Sequence, residues 1–440
     1  MKNTKKILSV LLTLLMIISI IPMSTITASA ATSGTCGENL TWTFDELTGT
    51  LTISGTGEME SYYENGYIEL RPWDYYEEDI IQIIIEEDVT SIDIGAFYSC
   101  DSLIDIEVSS ENENYSSENG VLFNKDKTTI IEYPQGNTRN SYVIPDSVTT
   151  ISDRTFEDCT FLENITIPDN VTTIGESAFD SCKSLTSVTI PNSVISIGQS
   201  AFYDCDSFKS VIIPNSVISI GDGPFSACNS LTSLTVDNNN QNYSSDEYGA
   251  LFNKDKTILI QYPAGSPRTN YAIPNSVNLI GKSCFSHCYN LENIIISDNV
   301  ISIDDYSFFY CDNLASVTIP NSATTIGNSA FSCCNSLINI TIPDNVTSIG
   351  EQAFSSCYSL ASVIIGNGVL SIGRYAFAWC DLLTSVTIGS SLTTFNNDSF
   401  DGCSSLTSIE VSKENKTYSS ENGVLFNKDK TTIIEYPQGN

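Results

Sequence analysis

The sequence predicts a repeat solenoid. Coils of 23 residues stack to build a long parallel β-sheet on one face, with short helical turns on the other and β-hairpin insertions in wider coils. Three observations lead there. The last inward position of a strand recurs at Ile85, Val108, Ile144, Ile167, Ile190, Ile213 and Val236. It continues through Ile273, Ile296, Ile319, Ile342, Ile365, Ile388 and Val411, and all but two of these steps are 23 residues. Each strand position belongs to an L-x-x-V-x-I spacing such as Leu185, Val188 and Ile190. A Phe stands three residues before a Cys in eleven regular coils, from Phe97/Cys100 to Phe400/Cys403. A period held over so many steps is the signature of a stacked array, because chance apolar clustering has no fixed interval.

The chain divides in order. Residues 1–30 read as an export signal: Lys2, Lys5 and Lys6 form a basic end, Ile7 to Ile21 an apolar stretch, and Ala28-Ser29-Ala30 a small-residue cleavage site, with cleavage expected after Ala30. Residues 31–79 read as a capping region for the open apolar face of a first coil. Within it, Leu40, Trp42 and Phe44 alternate with polar residues and face Leu51 and Ile53 across the Leu47-Thr48-Gly49 turn, a β-hairpin pattern. An acidic, aromatic segment from Met59 to Glu78 follows. Residues 80–440 are the solenoid.

Each position of a regular coil has a physical task. In Ile167–Ile190, the residues of L-x-x-V-x-I point inward and stack on their counterparts one coil away, about 4.8 Å along the sheet. Pro191-Asn192-Ser193 turns the chain, proline presetting φ. Val171 and Ile174 enter the core from a second wall. Gly175 recurs as Gly198, Gly221, Gly281, Gly327, Gly350 and Gly373, with Asp93, Ser152, Asp304 or Asn396 elsewhere, a set that suits a helix N-cap or a left-handed backbone. Glu176 to Cys182 is then expected to form one or two helical turns, with Ala178, Phe179 and Cys182 on one face.

The two longer steps are wide coils of 36 and 37 residues, about 109–144 and 237–273, that lack the Phe–Cys pair. Val121-Leu122-Phe123 and Thr129-Ile130-Ile131 flank Asn124-Lys125-Asp126-Lys127, which predicts a hairpin. It is read as a larger structural coil, with a protruding ligand contact as the alternative. Tyr418 to Asn440 repeats Tyr115 to Asn137, so 412–440 reads as an incomplete third wide coil, and a longer natural protein is expected.

Composition limits the function. The net charge of −34, from 53 acids against 19 bases, disfavours nucleic acid and anionic membrane surfaces, which need clustered Lys and Arg. After signal removal no apolar run is long enough for membrane insertion, and the array is expected to be monomeric. His287 is the only histidine and has no glycine-framed serine near it, so a Ser-His-Asp site is not expected and His287 reads as an ordinary surface residue. Cys284 and Cys288 both take inward positions, which favours a packed core over a zinc site. Eleven of the fourteen cysteines fall in one column, spaced for buried thiols rather than disulfides. Cys333, beside core Cys334, is expected to face outward. Asp237 to Asn240 lacks a calcium-loop spacing. The reading is therefore no catalytic residue, no metal and no cofactor.

Two surfaces remain for recognition. The outward strand positions, such as Ser187/Thr189 and Ser316/Thr318, form a flat polar ladder. The better candidates are aromatic: Tyr98, Tyr203, Phe309, Tyr310 and Trp379 lie between the core Phe and Cys, and Tyr289 and Tyr358 follow the Cys. Those slots are otherwise mostly small or polar, so large rings there are expected to be exposed along one edge.

The motif I-P-[DNS]-x-V-x-x-I-G-x-x-A-F-x-x-C-x-S-L-x-x-V-x, as in Ile342 to Ile364 and Ile167 to Thr189, resembles the BspA-like leucine-rich repeat family of bacterial surface proteins. The wide NYSS…GVLFNKDKTTIIEYP coil and the leading SGTCGENLTWTFD…LTISGTGEM segment resemble it too, so the resemblance covers about residues 33–440. It implies a secreted or cell-surface protein that adheres to an extracellular protein or carbohydrate ligand, with no shared catalytic residues. The alternatives are a non-catalytic targeting part of an extracellular enzyme system and a structural surface spacer.

Overall fold

A computed structural model describes residues 32–439 except 65, 66 and 69. The expected export segment and its cleavage site lie outside the described residues. The chain winds as a β-solenoid whose coils have three walls. The first wall is the expected parallel sheet. Its strands, such as Asn339–Ile342, Ser362–Ile365, Ser385–Ile388 and Ser408–Val411, pair in register one coil apart. Buried and exposed residues alternate along Asn339–Ile342 and Ser385–Ile388, so Ile340 and Ile342 face the core while Asn339 and Thr341 face water. The second wall is a parallel ladder of two-residue strands, among them Thr150–Ile151, Thr173–Ile174, Ser196–Ile197 and Ser219–Ile220.

The third wall departs from expectation. Glu176 to Cys182 and its equivalents form hydrogen-bonded turns, and the described helices are the short 3-10 segments Asp74–Asp79 and Asn397–Phe400. An α-helix would send each N–H back along its own segment. Here the N–H groups point along the solenoid: those of Ser177, Phe179 and Ser181 donate to the carbonyls of Gln199, Ala201 and Tyr203 in the next coil, at 2.8–2.9 Å. Left-handed residues on either side of the Phe aim them that way, Ser177 at φ 50° and Ser181 at φ 57°. The residue before Cys is left-handed in all eleven regular coils, and Gly402 alone is a glycine there. A side chain in that region costs about 1–2 kcal/mol; the inter-coil bonds offset it, and β-branched residues are excluded from the slot.

The glycine column needs a second correction. Gly175, Gly198 and their equivalents are not left-handed. A Cβ on Gly198 would lie 2.4 Å from the Glu176 nitrogen and the Gly175 carbonyl carbon, so these glycines let backbones of adjacent coils meet at the corner between the second and third walls. The N-cap reading holds at Asn396, whose side chain accepts from the Asp398 N–H at 3.3 Å.

The core is a stack of phenylalanines. Phe156, Phe179 and Phe202 follow at 5.0 Å with planes within 5° of parallel, and Phe308, Phe331, Phe354 and Phe377 continue the pattern. In the wide coils Tyr133 and Tyr262 take the missing place, each 5.2 Å from the next Phe. The cysteines are all free, Cys284 and Cys288 are buried, and Cys333 is partly exposed. They do more than fill space. Cys182, Cys205, Cys228, Cys311 and Cys403 donate their thiol hydrogens to the carbonyls of Phe156, Phe179, Phe202, Phe285 and Phe377 one coil back, at 3.0–3.1 Å. Burial pushes the Cys182, Cys205 and Cys311 thiols well above their ordinary pKa.

Each wide coil contains the expected hairpin, extended to a three-stranded meander: Tyr115–Glu118, Val121–Asn124 and Thr129–Glu132. Its middle strand is a partition. Val121 and Phe123 belong to the core that follows, whereas Leu122 faces the core that precedes. Both faces are buried, which explains the unbroken apolar run Val121-Leu122-Phe123. In the second wide coil Leu251 and Phe252 divide in the same way.

At the N-terminal end, Trp42 pairs with Ile53 and Phe44 with Leu51, and Thr50–Gly55 pairs in parallel with Gln82–Ile85 of the first coil. Buried Trp73 donates from Nε1 to the Ala96 carbonyl at 3.0 Å, and buried Arg71 donates to the Tyr98 carbonyl.

Candidate binding surface

The left-handed slots of the third wall carry side chains that cannot turn into the core, since the Phe and Cys on either side already fill it. A large ring placed there projects outward. Tyr306, Tyr310, Tyr375 and Trp379 are such residues, all with φ of 56–57°; Tyr306, Tyr310 and Trp379 are 38–44% exposed and Tyr375 is half-buried.

Four of the seven candidate rings come together, and the residue that joins them is His287. Its imidazole stacks on Tyr310 at 5.2 Å and 21°. The edges of Tyr203, Tyr289 and Phe309 surround it at 6.2, 5.7 and 5.8 Å, with planes 77–85° from its own. Phe309 meets Tyr310 at 4.5 Å and Tyr306 at 5.6 Å. Tyr203 belongs to a coil before the second wide coil, and His287 to the first regular coil after it. Among the remaining candidates, Tyr358 is exposed, and Trp379 stacks on Tyr375 at 5.7 Å. Tyr98 lies beside the first wide coil with the Arg154 guanidinium 5.9 Å from its ring.

Sequence reasoning missed His287, Tyr306 and Tyr375. The signal for the tyrosines was present: Tyr306-x-x-x-Tyr310 and Tyr375-x-x-x-Trp379 share a spacing, which is that of the two left-handed slots. His287 could not be placed from spacing, because its contact with Tyr203 spans the wide coil.

The polar surroundings of the cluster are acidic. Burial holds the His287 imidazole below its ordinary pKa, and Asp204 and Asp206 oppose that shift. Its Nδ1 lies 2.8 Å from Ser286 Oγ. In a hydrolytic triad a carboxylate orients the imidazole from that side; here a neighbouring hydroxyl does so. Asp312 and Asp204 also act on Tyr289, whose hydroxyl is pushed above its ordinary pKa, mainly by burial.

Two clefts mark the wide coils. Strand Ser219–Ile220 ends one sheet and Tyr243–Ser245 begins the next, and the Tyr243 hydroxyl accepts the Ile220 N–H across the gap at 2.9 Å. Tyr115 does the same for Ile92 at 3.0 Å. The cleft at the first wide coil is about 390 Å3, with Asp93, Glu132 and Asp153 in its lining; its counterpart is about 300 Å3, with Asp222 and Lys282. No group of three or more His, Cys, Asp or Glu among the described residues is arranged to hold a metal ion.

A family model described as the BspA type leucine rich repeat region matches residues 69–142, 135–250, 264–382 and 324–439. Among solved structures, a leucine-rich repeat protein of Eubacterium ventriosum is 27% identical and aligns over 90% of this chain and 94% of its own, with a TM-score of 0.60. The pneumococcal vaccine antigen PcpA is 19% identical over 88% of this chain and 94% of its own, with a TM-score of 0.54, a likeness of fold. None of the curated proteins matches.

Proposed function

The chain belongs to the BspA type leucine rich repeat family, and from that membership we propose that it is an exported bacterial binding protein, secreted or held at the cell surface. It recognises an extracellular protein or carbohydrate through the third wall and performs no catalysis. The observation that carries this reading is the gathering of Tyr203, His287, Tyr289, Phe309 and Tyr310 into one partly exposed cluster. Aromatic groups dominate binding energy at interfaces because they bury large apolar area at low entropic cost. Export is supported by the basic, apolar and small-residue order of residues 2–30. No helix among the described residues is long and apolar enough to cross a membrane.

The test is a screen of the chain beginning at Ala31 against immobilised matrix proteins and glycans. Saturable binding to a member of either class is the expected result. Silence across both contradicts the proposal.

A further inference from the structure

The protein contains its own example of what its exposed tyrosines accept. The Arg374 guanidinium carbon sits 4.5 Å from the Tyr375 ring centroid, and Tyr375 is in turn stacked on Trp379. The same guanidinium reaches Asp398 of the next coil, with Nε 3.0 Å from Oδ2, and Nη2 lies 2.9 Å from the Tyr375 hydroxyl. A cation is thus held between a ring face and a carboxylate one coil on. Arg268 over Tyr248 repeats the ring contact at 4.3 Å.

Tyr306 and Tyr310 stand three regular coils before Tyr375 and Trp379, in identical slots and with the same left-handed backbone. The residue preceding Tyr306 is Asp305, where Tyr375 has Arg374. Among the described residues no lysine or arginine of the chain lies over either ring. Ser329 stands where the second site has Asp398, and the acids at this site are instead Asp305 and Asp312, which flank the rings along the chain; the cation is missing.

We propose that the Tyr306–Tyr310 rings, with Asp305 and Asp312 flanking them along the chain, take an arginine- or lysine-bearing segment of a partner protein. This rests on the third-wall reading above and names its ligand chemistry. The donor balance favours a cation over a neutral glycan. Sugar hydroxyls need donors and acceptors together; apart from the tyrosine hydroxyls, which serve as either, the charged groups that act on the cluster are all acceptors: Asp204, Asp206 and Asp312. The nearby amide and ammonium donors are already engaged, Asn229 with Asp206 at 2.8 Å, Asn335 with Asp312 at 2.9 Å and Lys183 with Asp204 at 3.1 Å. A carboxylate keeps further lone pairs after accepting one such bond, and a ring face attracts a cation through its quadrupole.

The experiment titrates the chain with a tetra-arginine peptide and with its citrulline counterpart, which keeps the shape and lacks the charge. The variants are Tyr306→Ala/Tyr310→Ala and, as a comparator remote from the cluster, Tyr75→Ala at an exposed ring of the capping region; none alters net charge. The arginine peptide should bind more tightly than the citrulline peptide. The double variant should lose roughly tenfold in affinity, the scale of two modest cation–π contacts, with Tyr75→Ala unchanged and thermal unfolding unaffected. Equal affinity of wild type and double variant would show that bulk acidity alone attracts the peptide and would overturn the proposal, as would equal binding of the citrulline peptide. If the double variant loses a glycan found in the screen but keeps the arginine peptide, the ligand chemistry is overturned and the surface stands. If it loses neither, both readings fall.

Discussion

His287 and Tyr310 stack face to face one coil apart, 5.2 Å between ring centroids, and both are left-handed residues immediately before a core cysteine. The same backbone slot that bars helix formation on the third wall therefore sets two rings in register on the outside of the solenoid. Architecture and candidate site share one cause. The stack also sets a pH dependence. Burial lowers the His287 pKa, so the folded state takes up its proton later than the unfolded chain does. The stability it contributes is complete above about pH 6.5, the unfolded value, and is lost as pH falls toward the folded one. Thermal unfolding of the wild type should fall more steeply from neutral to mildly acidic pH than that of His287→Gln. Parallel curves would contradict the assignment.

Glu132 predicts the opposite slope. Burial, reinforced by Glu157, raises its pKa, so the folded state retains a proton that the unfolded chain releases near pH 4.3. Stability is lost as pH rises above that value. Its counterpart in the second wide coil is Gln261, whose amide donates to the Cys284 carbonyl at 3.1 Å, a bond that an ionised carboxylate cannot make. Glu132→Gln should therefore raise the melting temperature at neutral pH and leave it nearly unchanged near pH 4. A variant less stable than wild type at neutral pH would refute this.

The glycine column and the left-handed column should respond in opposite ways. Gly198→Ala drives a Cβ into the neighbouring backbone and should cost about 1–3 kcal/mol. Ser181→Gly relieves a positive φ and should be neutral or stabilising by up to about 1 kcal/mol. Denaturant unfolding of the two variants distinguishes these; a destabilised Ser181→Gly would mean that the left-handed slot carries no strain.

The cysteine column gives a chemical prediction. Alkylation of the native protein should modify Cys333, while denaturation should expose all fourteen thiols. Replacing Cys205 by Ala removes the donor to the Phe179 carbonyl as well as packing atoms, and should cost about 1–2 kcal/mol. Ready modification of several core thiols under native conditions would argue against a rigid stack.

Much of this was legible in the sequence. The 23-residue interval placed the first wall, the Phe stack and both wide coils, because residues that repeat at a fixed interval must occupy equivalent environments. The third wall was not legible as drawn. Alanine, phenylalanine and cysteine at helical spacing describe a buried turn equally well, and the two differ in where the N–H groups point, which composition does not encode. The missing β-branched residues at Ser177, Ser181 and their equivalents were the available sign. Tyr133 and Tyr262 were hidden because a wide coil shifts the numbering by which equivalence is judged. The candidate surface was half legible: Tyr203, Tyr289, Phe309 and Tyr310 were expected to be exposed, but only Tyr310 is; the other three are half-buried around His287, a convergence that depends on a contact across the second wide coil.

The central claim is that this convergence is a recognition surface. Its most direct test is the affinity of the double variant Tyr203→Ala/Tyr310→Ala for whichever matrix protein or glycan the wild type binds in the screen. Binding should fall at least about tenfold, the usual consequence of removing aromatic anchors, with an unchanged melting temperature. Undiminished affinity in a variant that unfolds like the wild type would contradict the claim.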